Sequence, residues 1–211
     1  MMIRIKVCGI TNLQDAVSIC KEGVDALGFI LSDSPRRIEL PKAYEISNAL
    51  PPFVSRVAVV VNPTEAQLRE IEESRVFDYV QLHGSEDAEL IKKCRLKVIK
   101  AIKLDSEKDC KDILVYQDLV DYFLFDTKTQ NAIGGTGRTF DWRILEKVKL
   151  KRPFILAGGL GPENIAEAIE KVRPNAVDLN SRVEKYPGKK DIELVRKTIR
   201  KIREVSNYHG E

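Results

Sequence analysis

A thiol and a carboxyl group, each placed where an apolar run gives out, are the residues of this sequence best suited to proton transfer. Cys8 follows the run "IRIKV" inside "KVCGIT", and Asp126 closes the run "YFLFD". A strand that ends at Cys8 and leads into a helix brings amide donors toward the thiol, and such donors favour the thiolate, the form that acts as base or nucleophile. Burial of Asp126 at the end of so apolar a strand raises its pKa and suits it to act as an acid near neutral pH. Together they can divide one proton-transfer reaction between them. Each also has a plainer reading: Cys8 as a small buried apolar side chain, and Asp126 as a helix cap or the partner of Lys128.

Two further stretches offer anion sites. "AGGLGPEN" sets Gly158 and Gly159 after an apolar run, with free amides at the start of a helix, and "DLNSRVE" supplies Asn180 and Ser181; both suit a phosphate. Arg36 and Arg37 in "SDSPRRIEL" offer a guanidinium to a substrate carboxylate, or stand as surface arginines. "GGTGRTFDW" over 134–142 is not a dinucleotide fingerprint, because Phe140 takes the last glycine's place, and it is not a P-loop. It reads as a flexible connector or a mobile cover. His83, in "QLHGSED", reads as a structural histidine. The four cysteines, Cys8, Cys20, Cys94 and Cys110, form no C-x-x-C pair, and only His83 and His209 could join them. That pattern predicts neither a metal site nor a disulfide framework.

The elements that would position these residues follow from hydrophobic period. Eight short runs rich in Val, Ile and Phe end near Val7, Ile30, Val61, Leu82, Ile102, Asp126, Ala157 and Leu179, with room for one helix in each gap. Leu13, Ala16, Val17 and Cys20 keep helical spacing, as do Ile165, Ala168, Ile169 and Val172, and Ile192, Val195, Ile199 and Ile202 mark a final helix. Thr64 with Gln67 forms a capping-box signature, Asp141 precedes "WRILEKV", and Pro162 stands where a first helical turn would begin. Eight strand-then-helix units predict a (β/α)8 barrel of parallel strands, one catalytic domain over 1–211. An open doubly wound sheet is the alternative, but "VCGITN" is not its glycine fingerprint. In a barrel the catalytic rim is the C-terminal end of the strands, which singles out Cys8, the "DSPRR" loop, Asn62, His83, Lys103, Asp126, Gly158 with Gly159, and Asp178.

Composition excludes other classes. Among 211 residues, 35 basic and 32 acidic side chains leave a net charge of +3, which gives no reason to expect nucleic acid or an anionic membrane as partner. No apolar run has the length of a signal core or a membrane span, so the expected location is the cytoplasm.

In their order along the chain, "KVCGIT", "SPRRI", "VQLHG", "FDT" with "GGTGRTFDW", "AGGL" with "PENI", and "AVDLNSRVEKYPGKKD" resemble the phosphoribosylanthranilate isomerase family of tryptophan biosynthesis, from about Lys6 to Asp191. The resemblance implies an Amadori rearrangement of N-(5-phosphoribosyl)anthranilate without metal or organic cofactor. It makes Cys8 the general base, Asp126 the general acid and Arg36 the holder of the anthranilate carboxylate. Gly158, Gly159, Asn180 and Ser181 would then line the phosphate site. The partner it implies is a small molecule, while the sequence leaves a monomer and a homodimer both open. One departure stands out: where the family usually carries a glycine before Val-Glu, this chain has Arg182, which cannot enter positive φ as cheaply. The alternatives are another phosphosugar (aminoaldose) isomerase or a noncatalytic phosphosugar-binding barrel; Cys8 with Asp126 disfavours the former.

Overall fold

Strand β1 (Arg4–Val7) hydrogen-bonds on one side to β2 (Ala26–Ile30) and on the other to β8 (Ala176–Leu179), and that second pairing closes the sheet on itself. The computed structural model describes residues 2–104, 110–126 and 150–208. Between β2 and β8 lie β3 (Ser55–Val60), β4 (Tyr79–Leu82), β5 (Lys97–Lys103), β6 (Tyr122–Asp126) and β7 (Phe154–Ala157), each parallel to its neighbours. The result is a (β/α)8 barrel. The open sheet is excluded by the ladder from Arg4↔Ala176 to Val7↔Leu179.

Helices α1 (Leu13–Lys21), α2 (Leu40–Asn48), α3 (Glu65–Glu73), α4 (Ala88–Lys92) and α5 (Cys110–Tyr116) follow β1 to β5; α6 (Ile165–Val172) follows β7 and α7 (Ile192–Tyr208) follows β8. The glycine-rich stretch over 134–142, the helix expected after Asp141, Lys128 and His209 lie outside the described residues.

Strand ends fall close to where the apolar runs stop, because strands buried on both faces read as continuous hydrophobic runs. Two ends move. β3 stops at Val60, since Val61 N–H donates to Ser32 Oγ at 2.8 Å, and β5 runs on to Lys103, paired with Asp126. The Thr64–Gln67 box forms as expected: Gln67 N–H donates to Thr64 Oγ1 at 3.2 Å and Thr64 N–H to Gln67 Oε1 at 2.8 Å. Helix α1 is turned about its axis from the expected stripe, burying Asp15, Ala16 and Ile19 while Leu13 is exposed. Asp15 takes the inward place because Lys189 and the Lys190 amide hydrogen-bond its carboxylate. Pro162 lies in a turn, three residues ahead of the helix it was expected to open.

Two apolar layers result. Val57, Val59, Ile99, Ala101, Leu124, Ile155 and Ala157 fill the barrel interior together with Cys8, while the larger cluster, including Ile5, Leu27, Phe29, Ile46, Phe123 and Ile199, packs strands against helices. After β8 the chain makes a turn of 3-10 helix (Ser181–Val183) and a small antiparallel hairpin, β9 (Glu184–Tyr186) and β10 (Lys189–Lys190), that the sequence did not announce.

Candidate active site

Barrel topology brings the strand ends to one rim. Cys8 leaves β1 with its backbone N–H donated to Leu179 O at 2.8 Å, which ties it to β8, and its side chain is buried inside the barrel. Helix α1 begins only at Leu13, so the expected supply of helix amides is replaced by side-chain charges. Burial pushes the Cys8 thiol above its ordinary range, opposed by Lys6 and Lys190.

Gly9 follows in a left-handed conformation, φ 74°. A Cβ there would stand 2.7 Å from Arg36 Cδ and 2.9 Å from Asn180 Oδ1. The glycine after the thiol therefore lets three loops converge.

Asp126 closes β6 on the same rim. It is not sealed in as expected, for its side chain is 27% exposed, and its Oδ2 lies 3.9 Å from His83 Nε2. Burial holds the His83 imidazole below its ordinary pKa, outweighing the nearby Asp126. Gln81 Nε2 stands 3.3 Å from His83 Nδ1. The loop carrying His83 is pinned by a buried ion pair, Lys100 Nζ to Glu86 Oε2 at 2.8 Å, with Lys100 also donating to Gly84 O at 2.6 Å. Asn62 joins the same knot, its N–H donating to Glu86 Oε1 at 3.0 Å. Lys103 sits beside Asp126 in the ladder.

The two adjacent arginines separate at a turn, in which Arg37 N–H donates back to Ser34 O at 3.0 Å. Arg37 faces outward to Glu39 at 3.0 Å. Arg36 turns inward and is 18% exposed, its Nε donating to Glu184 Oε1 at 2.9 Å and its Nη2 to Oε2 at 2.6 Å. Glu184 also accepts from the buried Lys190 at 2.9 Å, and Lys190 donates to Asn180 Oδ1 at 2.9 Å. Burial opposes the charge on Glu184, but Arg36 and Lys190 outweigh it and hold its carboxyl below the usual range. Lys190, Glu184 and Lys6 were not singled out from sequence. Period two offered a signal for one of them, since Lys6 and Cys8 share a strand face.

Gly158 and Gly159 both take positive φ, 98° and 61°. They lie in the turn before α6, closed by Asn164, whose Oδ1 accepts from Gly161 N–H at 2.9 Å and whose Nδ2 donates to Gly159 O at 3.0 Å. Ser181 starts the 3-10 turn beside Asn180. Arg182 is exposed within that turn and does not enter positive φ. Its Cβ instead occupies the room that a side chain at Gly161 would need, 2.7 Å from that position. Among the described residues no group of three or more His, Cys, Asp and Glu side chains is placed to hold a metal ion, and no helix is long and apolar enough to cross a membrane.

A closed barrel with a thiol, a carboxyl and an ion-paired arginine at one rim defines a (β/α)8-barrel protein of the enzyme class, with groups whose chemistry suits proton transfer. The profile of one family, described as N-(5'-phosphoribosyl)anthranilate (PRA) isomerase, matches residues 5–201. An N-(5'-phosphoribosyl)anthranilate isomerase from Petrotoga mobilis is 64% identical over 204 residues, 97% of this chain and 99% of the relative. A solved phosphoribosylanthranilate isomerase, in complex with reduced 1-(o-carboxyphenylamino)-1-deoxyribulose 5-phosphate, superposes with a TM-score of 0.86 at 40% identity, covering 96% of this chain and all of the other. A Thermotoga maritima structure, described as monomers generated from the dimeric enzyme, gives 0.85 at 39% identity over 96% of this chain and all of the other. The chain belongs to the phosphoribosylanthranilate isomerase family.

Proposed function

We propose that the chain carries out the isomerisation of N-(5'-phosphoribosyl)anthranilate in tryptophan biosynthesis, an aldose–ketose rearrangement, with Cys8 as general base and Asp126 as general acid. The observation that supports the assignment of roles is that β1 and β6 deliver these two groups to one rim of a barrel of this family. Protonation of the furanose oxygen by Asp126 breaks the ring C–O bond and gives the iminium. Removal of the adjacent carbon-bound proton by Cys8 gives the enolamine, which tautomerises to the aminoketose. Arg36 has five N–H donors and uses two directions on Glu184, leaving others for the anthranilate carboxylate. The Gly158 and Gly159 amides, Asn180 and Ser181 would receive the phosphate, and Arg182 adds a positive charge beside them. Free Cys8, Cys20 and Cys94 suit a reducing cytoplasm.

Turnover of phosphoribosylanthranilate generated in situ, followed as loss of its fluorescence, tests the activity. Binding of the reduced product analogue without turnover would instead support the noncatalytic barrel.

Because the Thermotoga maritima relative is described as dimeric, we further propose a homodimer. At the end of the barrel away from Cys8 and Asp126, a cavity of about 360 Å³ is lined by Tyr79, Tyr122 and Phe154. Phe53 at its edge is fully exposed and held at φ 67°. An exposed aromatic beside an aromatic recess suits pairing about a two-fold axis. Sedimentation should show a dimer that Phe53→Glu splits; a wild-type monomer would overturn this.

A further inference from the structure

The barrel interior holds charges that an acid and a base do not by themselves require. Lys6 and Cys8, two residues apart, share the inward face of β1. Lys6 Nζ donates to Asp178 Oδ2 at 2.6 Å, with the two side chains 4% and 7% exposed. Gly28 on β2 shows how near Lys6 and Cys8 approach. The position its Cβ would take is 2.8 Å from Cys8 Sγ and 3.1 Å from Lys6 Nζ, so the two atoms are no farther apart than the sum of those lengths. The ammonium and the thiol thus face the same small space over Gly28, close enough for their charges to act on each other. Burying an ion pair gives up the hydration of both partners, and an apolar pair of similar volume would often serve stability as well. A lysine sealed in at this point has a role better sought in chemistry than in folding.

We propose that Lys6 is a positioning residue that favours the ionised, proton-accepting form of Cys8 Sγ against the cost of its burial, with Asp178 keeping the ammonium in place beside it. This rests on the reading of Cys8 as the base. Burial works against the thiolate, and Lys6 is the chief group that pulls the other way, while the Asp178 carboxylate repels the thiolate. Lys6 itself loses hydration on burial, but Asp178 and Cys8 more than offset that loss and keep it protonated. The other charges facing Cys8 are Lys190 from β10 and Arg36 from the loop after β2, and both are engaged by Glu184. His83, from the end of β4, faces Lys6 and Asp178 and is disfavoured as a cation by burial.

The two partners should therefore move the thiol in opposite directions, which a purely structural pair would not do. In a chain whose other three cysteines are serine, Cys8 ionisation is read by thiolate ultraviolet absorbance and by alkylation rate against pH. Asp178→Asn should shift the titration down. Lys6→Met should shift it up by about one unit or more, a tenfold smaller thiolate fraction at a pH well below the midpoint. The pH profile of kcat/KM should follow the same displacement, so that Lys6→Met recovers activity at alkaline pH. If Lys6→Met does not fold, the double variant Lys6→Met with Asp178→Asn leaves no orphaned charge and should titrate above Asp178→Asn alone. A folded Lys6→Met or double variant whose thiol titrates where its Lys6-containing parent does would overturn the proposal. Turnover by Cys8→Ala would overturn the base reading separately, because the titration does not depend on activity.

Discussion

The guanidinium of Arg36 and the carboxylate of Glu184, 148 positions apart, meet through Nε at 2.9 and 3.1 Å and Nη2 at 2.6 Å. A residue suited by its loop to clamp a substrate carboxylate is thus itself held by a buried carboxylate from the hairpin after β8. Removing the charge from Glu184 should loosen Arg36 while leaving the acid and the base in place, with Lys190, its other partner, bearing on Cys8 only through its charge. Glu184→Gln is expected to raise KM about tenfold, the equivalent of roughly 1.4 kcal/mol, with kcat changed only a few-fold. Steady-state kinetics check this split, and an unchanged KM would separate Arg36 from substrate binding.

Gly28 leaves open the space into which Cys8 Sγ and Lys6 Nζ both point. Gly28→Ala should keep the fold at a cost of about 1–3 kcal/mol, the usual range for overpacking, while lowering kcat by displacing the thiol. Urea unfolding beside kinetics distinguishes this from global damage: a loss of stability with kcat intact would show that the thiol tolerates displacement.

Lys100 and Glu86 form the buried pair that pins the loop carrying His83. Glu86→Ala leaves the ammonium without its counter-charge and should cost about 3–5 kcal/mol. A loss below about 1 kcal/mol in chemical denaturation would show that the carbonyls around Lys100 suffice.

Acid should destabilise the protein by a defined route. Burial opposes ionisation of Glu86, Glu184 and Asp15, but hydrogen bonds from Lys100, from Arg36 and Lys190, and from Lys189 and Asn12 outweigh it, so all three titrate below their ordinary values of 4.5, 4.5 and 3.8. The folded form therefore binds fewer protons than the unfolded one. The stabilisation is complete above those ordinary values and is lost as pH falls below them, down through the lower values of the folded state. Unfolding free energy measured against pH should be flat near neutrality and decline below about pH 4.5; stability rising on acidification there would contradict the assignment.

Sequence disclosed the parts of the barrel that are apolar and local. Val7, Ile30, Leu82, Asp126, Ala157 and Leu179 close their strands where the hydrophobic runs stop, because a strand covered on both faces cannot alternate. The hairpin of β9 and β10 was hidden in the charged stretch "EKYPGKK", which lacks both an apolar run and alternation. Lys6, Lys190 and Glu184 were hidden for a related reason: charged side chains read as solvent-facing, and only the closed barrel and the hairpin fold them inward against one another. Gly28 carries no local signal, since its constraint is set by a neighbouring strand. Arg182 in a glycine's place implies a different backbone for the phosphate loop, and it sits in a 3-10 turn without positive φ.

The division of labour between Cys8 and Asp126 is tested most directly by turnover of phosphoribosylanthranilate in Cys8→Ala and Asp126→Asn, each checked for fold and for binding of the reduced product analogue. The account predicts that both variants bind the analogue and lose activity by about a hundredfold or more, the scale of general acid or base catalysis. A folded variant of either kind that keeps most of the wild-type rate would contradict it.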